Sequence, residues 1–403
     1  MDLAVTMASS DADRAAAPSS PSPSQLLASA DKALAFLRSA TQPPVWPPAK
    51  QDIAYVFKLP AAYESMGCVE EGRAVFAELL RPHLPDGGVH SDNPAYRFAY
   101  PHYPWMWASY AAAKLGLTED AALCDRLLSP WQAGDGSGLV RNPNGVECDL
   151  FSTALQIWNH LVNFGRVLDA RRAGTALVRA VNRWSNEYGE NANVLPLRWD
   201  AASLQWLEPH HCEADPTCAS SLFYSVSATQ RNDKESQLYF MVAFPAITLE
   251  LLAAASSPVK PDASLPTSPS PSSANAESGS PSSGDESLRD YFHQAACRLV
   301  QFLSRAAGAA SEPTGIGKVA YAAVLVGDDE LASRVLNNIL ASQNCDGSFF
   351  GPTTEELASG PTPRGDVELE DRRMEAMREM DQTAEMVVWL SLIAAHRTAI
   401  QRS

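Results

Sequence analysis

The sequence predicts an all-α protein built from paired helices, and three regularities carry that expectation. A unit of Gly, acidic residues, an apolar-periodic helix and a closing Asp-Gly occurs in GCVEEGRAVFAELLRPHLPDGG, GLTEDAALCDRLLSPWQAGDGS and GDDELASRVLNNILASQNCDGS. The opening Gly and closing Asp stand 19 residues apart each time, at 67 and 86, 116 and 135, and 327 and 346. Gly67, Gly116 and Gly165, each at a helix stop, are evenly placed 49 residues apart. Between such stops, amphipathic helices with one charged face alternate with helices that are apolar nearly all round. Repeats of this length mean helix pairs stacked on their neighbours.

The first amphipathic helix is SQLLASADKALAFLRSA, with apolar residues at helical spacing. After a Pro-rich loop, Asp52 opens the first apolar helix, IAYVFKLPAAYESMG, which stops at Gly67. Further amphipathic helices are expected at 69–82, 119–130, 167–187, 285–306 and 328–343, and apolar ones at 103–115, 149–164, 235–254, 315–326 and 380–397. That makes six of each kind in alternation. An open stack would leave apolar helices exposed at both ends, whereas a ring of six hairpins buries them around a central cavity. The architecture predicted is therefore an (α/α)6 toroid.

Turns from an apolar helix to the next amphipathic one are short, and the long connections (41–51, 83–102, 132–148, 188–234, 307–314 and 344–379) all fall at one end. Long loops gathered at one end of a rigid scaffold are where sites are usually built. The N-termini of the six inner helices point the same way and favour partial negative charge at that mouth. In the fourth unit VLPLRWDAASLQWLEP alternates in polarity around Asp200-Ala-Ala-Ser and reads as a small β-hairpin. Residues 256–286 are Pro, Ser and Ala with little apolar content and read as a disordered insertion, as do 1–23 as a tail, so that 24–400 form one domain.

A net charge of −16 and a pI near 4.9 argue against nucleic acid or an anionic membrane surface. No apolar run approaches the ~20 residues of a membrane span, and the first residues carry no basic and apolar leader pattern, so a cytoplasmic location is expected. The oligomeric state is left open. Seven scattered cysteines fit reduced thiols rather than a disulfide framework. His210, His211, Cys212 and Cys218 are the one cluster to weigh for zinc, but the Cys-x5-Cys spacing is not a standard knuckle, and we expect no metal and no cofactor.

Gln343-x-x-Asp346-Gly347-Ser348-Phe349 resembles the Gln-x-x-Asp-Gly-Ser-aromatic repeat of squalene cyclases and related terpenoid-cyclase and prenyltransferase α/α toroids, and Asp381-Gln-Thr-Ala-Glu adds to the likeness. In that superfamily the repeat is a scaffold element: Asp caps a turn, Gly is left-handed, and the aromatic packs on the neighbouring helix. The resemblance implies an enzyme acting on an apolar, terpenoid-like small molecule. The Asp-x-Asp-Asp acid motif of the proton-initiated cyclases is absent from this sequence, as is Asp-Asp-x-x-Asp. A cyclisation or isomerisation in secondary metabolism, driven by holding a reactive conformer, is the expectation that remains, including pericyclic ring closure.

Candidate residues are the polar members of apolar stretches. Lys58 and Lys318 are lone cations in such helices, suited to acid–base or anion-binding roles if they face the cavity and to snorkelling if they do not. Tyr55 lies one turn before Lys58. Tyr100, His102, Tyr103 and Trp105 belong to the densest aromatic stretch, at the mouth; His102 and Tyr103 suit proton transfer, the others substrate lining. Asp381, with Glu385 behind it, is a further catalytic candidate, while Asp149 reads as a helix cap. His160, Gln237 and Tyr239 are candidate substrate contacts. The alternatives are a carbohydrate-active toroid pairing Asp149 with Asp381 or Glu385, and a non-catalytic binding toroid.

Overall fold

In the computed structural model, the described residues are 19–41, 53, 56–84, 95–136, 138–140, 146–211, 219–229, 237–256, 283–306, 308–313, 315–349 and 366–402. They are mostly helical, with two small two-stranded sheets. In chain order the helices are α1 (Pro23–Ala40), α2 (Leu59–Ser65), α3 (Val69–Val75), α4 (Tyr103–Lys114), α5 (Thr118–Leu128), α6 (Leu150–Trp158), α7 (Val167–Tyr188), α8 (Phe240–Ala255), α9 (Ser283–Arg305), α10 (Ile316–Val326), α11 (Asp329–Ala341) and α12 (Asp366–Arg402). One wide turn continues α3 over Phe76–Leu80, and another continues α6 over Asn159–Asn163.

Pairing follows the alternation in the sequence. The apolar helices α2, α4, α6, α8, α10 and α12 pack each on the next, and α12 packs back on α2. Their amphipathic neighbours lie against them as α2 with α3, α4 with α5, α6 with α7, α8 with α9, α10 with α11, and α12 with α1. The short turns between the two kinds rest on left-handed glycines: Gly67, Gly116, Gly165 and Gly327 all have φ between 65° and 83°. Three of them close by the same backbone bond, Cys68 to Tyr63, Leu117 to Ala112 and Asp328 to Ala323, which satisfies a carbonyl orphaned at the helix end.

The Asp-Gly turns are also structural. Gln343 bridges to Phe349 across the second of two described turns, and Gln132 bridges to Leu139 across the first; Asp86 lies outside the described residues. Asp346 Oδ1 accepts from the Ser348 N–H at 3.0 Å and its hydroxyl at 2.8 Å. The Gln343 side chain accepts from Ser29 Oγ at 2.9 Å and donates to the Ser29 carbonyl at 2.9 Å, clasping the last repeat to α1. The Phe349 N–H donates to Thr383 Oγ1 at 3.0 Å, which fastens the same turn to α12.

Several boundaries differ from expectation. α2 begins at Leu59 rather than near Asp52, because Pro60 suits only the first turn of a helix. α12 begins at Asp366, so Asp381 lies inside a helix and does not cap one. The Asp200–Ser203 turn forms, held by Asp200 Oδ1 accepting from Ser203 N at 2.7 Å, and Trp199 bridges to Trp206. The longer pairings are elsewhere, however: β3 (Arg198–Asp200) pairs with β1 (Glu147–Asp149), and β2 (Val194–Pro196) with β4 (Ser225–Ser227), both antiparallel. Most of the expected insertion at 256–286 lies outside the described residues, and its last four residues open α9. No helix among the described residues is long and apolar enough to cross a membrane.

Candidate active site

Asp381, Glu385 and Trp389 form one stripe of α12, spaced by four so that they share a face. Lys58 comes to that stripe from the start of α2. Lys318 comes from the first turn of α10, where Gly317 allows the approach: a Cβ there would stand 2.7 Å from Trp389 Cδ1. The four charged side chains join in a line. Lys58 Nζ lies 2.7 Å from Asp381 Oδ2 and 2.6 Å from Glu385 Oε2, and Lys318 Nζ bonds the other oxygen of Glu385. Trp389 Nε1 donates to that same oxygen at 3.1 Å. Side-chain exposure is 4% for Lys58, 2% for Lys318, 10% for Asp381 and 9% for Glu385, so the whole line is withdrawn from water.

Aromatic rings surround it. Lys58 Nζ lies 5.1 Å from the Phe57 ring centre and 5.8 Å from that of Tyr103. Lys318 Nζ lies 5.5 Å from Phe240, 5.5 Å from Trp389 and 5.8 Å from Tyr103. Tyr96 stacks on Tyr103 at 5.9 Å, and Tyr100 meets both rings edge-on. On the other side of the line, Trp389 packs among Trp107, Trp158, Phe244 and Tyr321, one from each of α4, α6, α8 and α10. Rings from five of the six apolar helices thus fill the region where those helices meet.

The electrostatics separate the four charges into two held and two labile. Burial opposes the charge on Lys58, but Asp381 and Glu385 outweigh it and keep the ammonium well above its ordinary pKa. Burial likewise opposes ionisation of Glu385, yet Lys318 and Lys58 on its two oxygens hold it well below the carboxylate range. Asp381 shares one ammonium, and burial pushes its carboxyl up to about 6 in spite of Lys58. Lys318 has one carboxylate and a like charge beside it, so burial lowers its pKa. Asp381 Oδ1 is buried and has no hydrogen-bond partner among the described residues.

Of the residues singled out in the sequence, Lys58, Tyr100, Tyr103, Lys318, Asp381 and Glu385 come together here. Tyr55 lies outside the described residues. Trp105 is buried in the core but stands about 200° around α4 from Tyr103 and Trp107, so Trp107 takes the inner position expected of it. His102 is buried, and its ring is 6.1 Å from Trp131. His160 lies one turn from Gln156 beyond the end of α6, at the short-turn end, and burial lowers its pKa. Gln237 accepts from the Ser227 N–H at 2.9 Å, and Tyr239 donates to the Ser227 carbonyl at 3.2 Å; both fasten β4. Asp149 caps α6, accepting from Ser152 N at 2.7 Å.

His210 and His211 are exposed, and Cys212 and Cys218 lie outside the described residues. Phe240 and Trp389 were missed, whereas Tyr96 opens the aromatic stretch 96–107 read as a substrate lining. Trp389 had a legible signal, since it follows Glu385 by one helical turn; Phe240 had none beyond being aromatic. Compared with known proteins, the chain matches no family model, no curated protein and no solved structure.

Proposed function

We propose that the protein is an (α/α)6 toroid enzyme, related to the terpenoid-cyclase and prenyltransferase toroids, that cyclises or isomerises an apolar, terpenoid-like molecule with its own side chains. The closed order of helix contacts, α2 through α12 and back to α2, supports the toroid reading. The observation that carries the catalytic reading is the buried line Asp381–Lys58–Glu385–Lys318. Four desolvated charges are poor devices for stability, because well-packed apolar side chains of similar volume do as well or better. Perturbed acids and bases gathered among aromatic rings are, in contrast, what a reacting centre needs.

In this reading Asp381 is the proton carrier. A carboxyl raised to about 6 holds a useful fraction of its protons near neutrality, and among the described residues Oδ1 has no other hydrogen bond to break. Lys58 receives the charge left when the proton departs. The faces of Tyr96, Tyr100 and Tyr103 then favour positive charge developing on an apolar substrate. The carbohydrate alternative loses ground, because Asp149, which it pairs with Asp381 or Glu385, caps α6 through Ser152, while Asp381 and Glu385 are both engaged by Lys58. The test is to incubate the purified protein with an organic extract of the producing organism and identify what it retains and converts. Retention of polyene or polycyclic compounds, with conversion lost in Asp381→Asn, is the expected outcome; retention of sugars alone overturns the reading.

A further inference from the structure

We propose that Lys318 is an imine-forming lysine, so that the substrate is an apolar aldehyde or ketone held as an iminium ion. This inference rests on the proposed reading of the site for its apolar substrate class. The two lysines are not equivalent. Lys58 is gripped by two carboxylates, at 2.7 and 2.6 Å, and is committed to that position. Among the described residues Lys318 pairs with one carboxylate, Glu385, which also binds Lys58 and the Trp389 indole. Its remaining surroundings are the rings of Tyr103, Phe240 and Trp389. A lysine in an apolar pocket beside a second cation is the arrangement that frees an amine for attack on a carbonyl, and burial does lower the pKa of Lys318.

The chemistry balances without a further reactant. Lys318 Nζ adds to the carbonyl carbon as it gives up one proton, and the carbonyl oxygen takes that proton and a second one from the nitrogen and leaves as water, so that Glu385 stays ionised. The nitrogen ends as a substituted iminium carrying the last proton, so one ammonium and one carbonyl have become one iminium and one water. The positive charge stays where Lys318 held it, against Glu385 and three ring faces. In a conjugated substrate that cation draws electron density along the double bonds, which activates the cyclisation or isomerisation proposed above.

The test uses the full chain with citral, an apolar conjugated aldehyde, and sodium cyanoborohydride at neutral pH, followed by peptide mapping. Lys318 should be alkylated faster than the exposed Lys32 and Lys114 by on the order of tenfold or more, because a desolvated amine beside a second cation is the better nucleophile at neutral pH. Lys318→Arg should lose that adduct while leaving those on Lys32 and Lys114 unchanged. Alkylation of Lys318 no faster than of the exposed lysines overturns the inference. If apolar compounds from the extract are retained and converted while Lys318 stays unlabelled, the imine alone fails and the broader reading stands.

Discussion

Lys58 and Glu385 come from opposite ends of the chain and meet 2.6 Å apart in the interior, so the ion pair also joins the first apolar helix to the last. Removing the ammonium leaves the buried carboxylates of Asp381 and Glu385 facing each other with no cation between them, and Lys318 only on the far oxygen of Glu385. Breaking a buried pair in this way typically costs about 3–5 kcal/mol. Lys58→Met should therefore lose stability in that range by urea denaturation. Replacing Lys58, Lys318, Asp381 and Glu385 together by Met or Leu should recover most of it while abolishing conversion of substrate. Full stability in Lys58→Met would show that the pairing is not as described.

Asp381 supplies a pH signature. Its folded-state pKa of about 6 lies above its ordinary value of 3.8. Between those two values the folded protein binds more protons at this site than the unfolded chain, so the contribution of Asp381 to stability falls as pH rises through that window and levels off above it. Glu385 acts in the opposite sense and lower down: its depressed pKa contributes stability above about 4.5 that is lost as pH falls below it. Subtracting the stability curve of Asp381→Asn from that of the wild type isolates the first term. The difference should decline between about pH 4 and pH 6, and a flat difference would mean that Asp381 is not raised.

How far the site could be read from sequence follows from what each residue contrasts with. Lys58 and Lys318 stood out because each is the lone charge in an apolar stretch, and Asp381 with Glu385 because they interrupt another. Their meeting was not legible, since it depends on α2, α10 and α12 being neighbours, and no local pattern encodes that. Period alone separates Trp107 from Trp105: Tyr103, Trp107 and Tyr110 recur at helical spacing and face inward together. The β-pairings were missed for a different reason. The stretch 221–227 reads as extended, but the strands are three residues long, 147–149 carries no alternation, and nothing local says which strand pairs with which.

Gly67 and Gly347 both have positive φ, at 75° and 100°, but their surroundings differ. A Cβ on Gly67 would meet nothing within 4 Å, whereas one on Gly347 would stand 2.3 Å from the Lys32 carbonyl oxygen. Gly67→Ala should therefore cost only the left-handed strain, roughly 1–2 kcal/mol. Gly347→Ala adds a backbone clash at the clasp between the last repeat and α1, and should cost more than Gly67→Ala in a thermal melt. Equal losses would mean that the Gln343 to Phe349 turn does not bear on α1.

Trp389 tests whether the aromatic packing and the charge line are one unit. Its ring fills the space between Trp107, Trp158, Phe244 and Tyr321, and its N–H holds Glu385 at 3.1 Å. Trp389→Ala removes both and should cost about 3–5 kcal/mol, the usual loss for a large aromatic in a core. Trp389→Phe keeps most of the packing and loses the donor, so its cost should be smaller, about 1–3 kcal/mol. Glu385 would still have both lysines, but its Oε1 would lose the indole donor and keep only Lys318. Conversion of substrate should then fall more than retention does in Trp389→Phe. A parallel fall in both would assign Trp389 to packing alone.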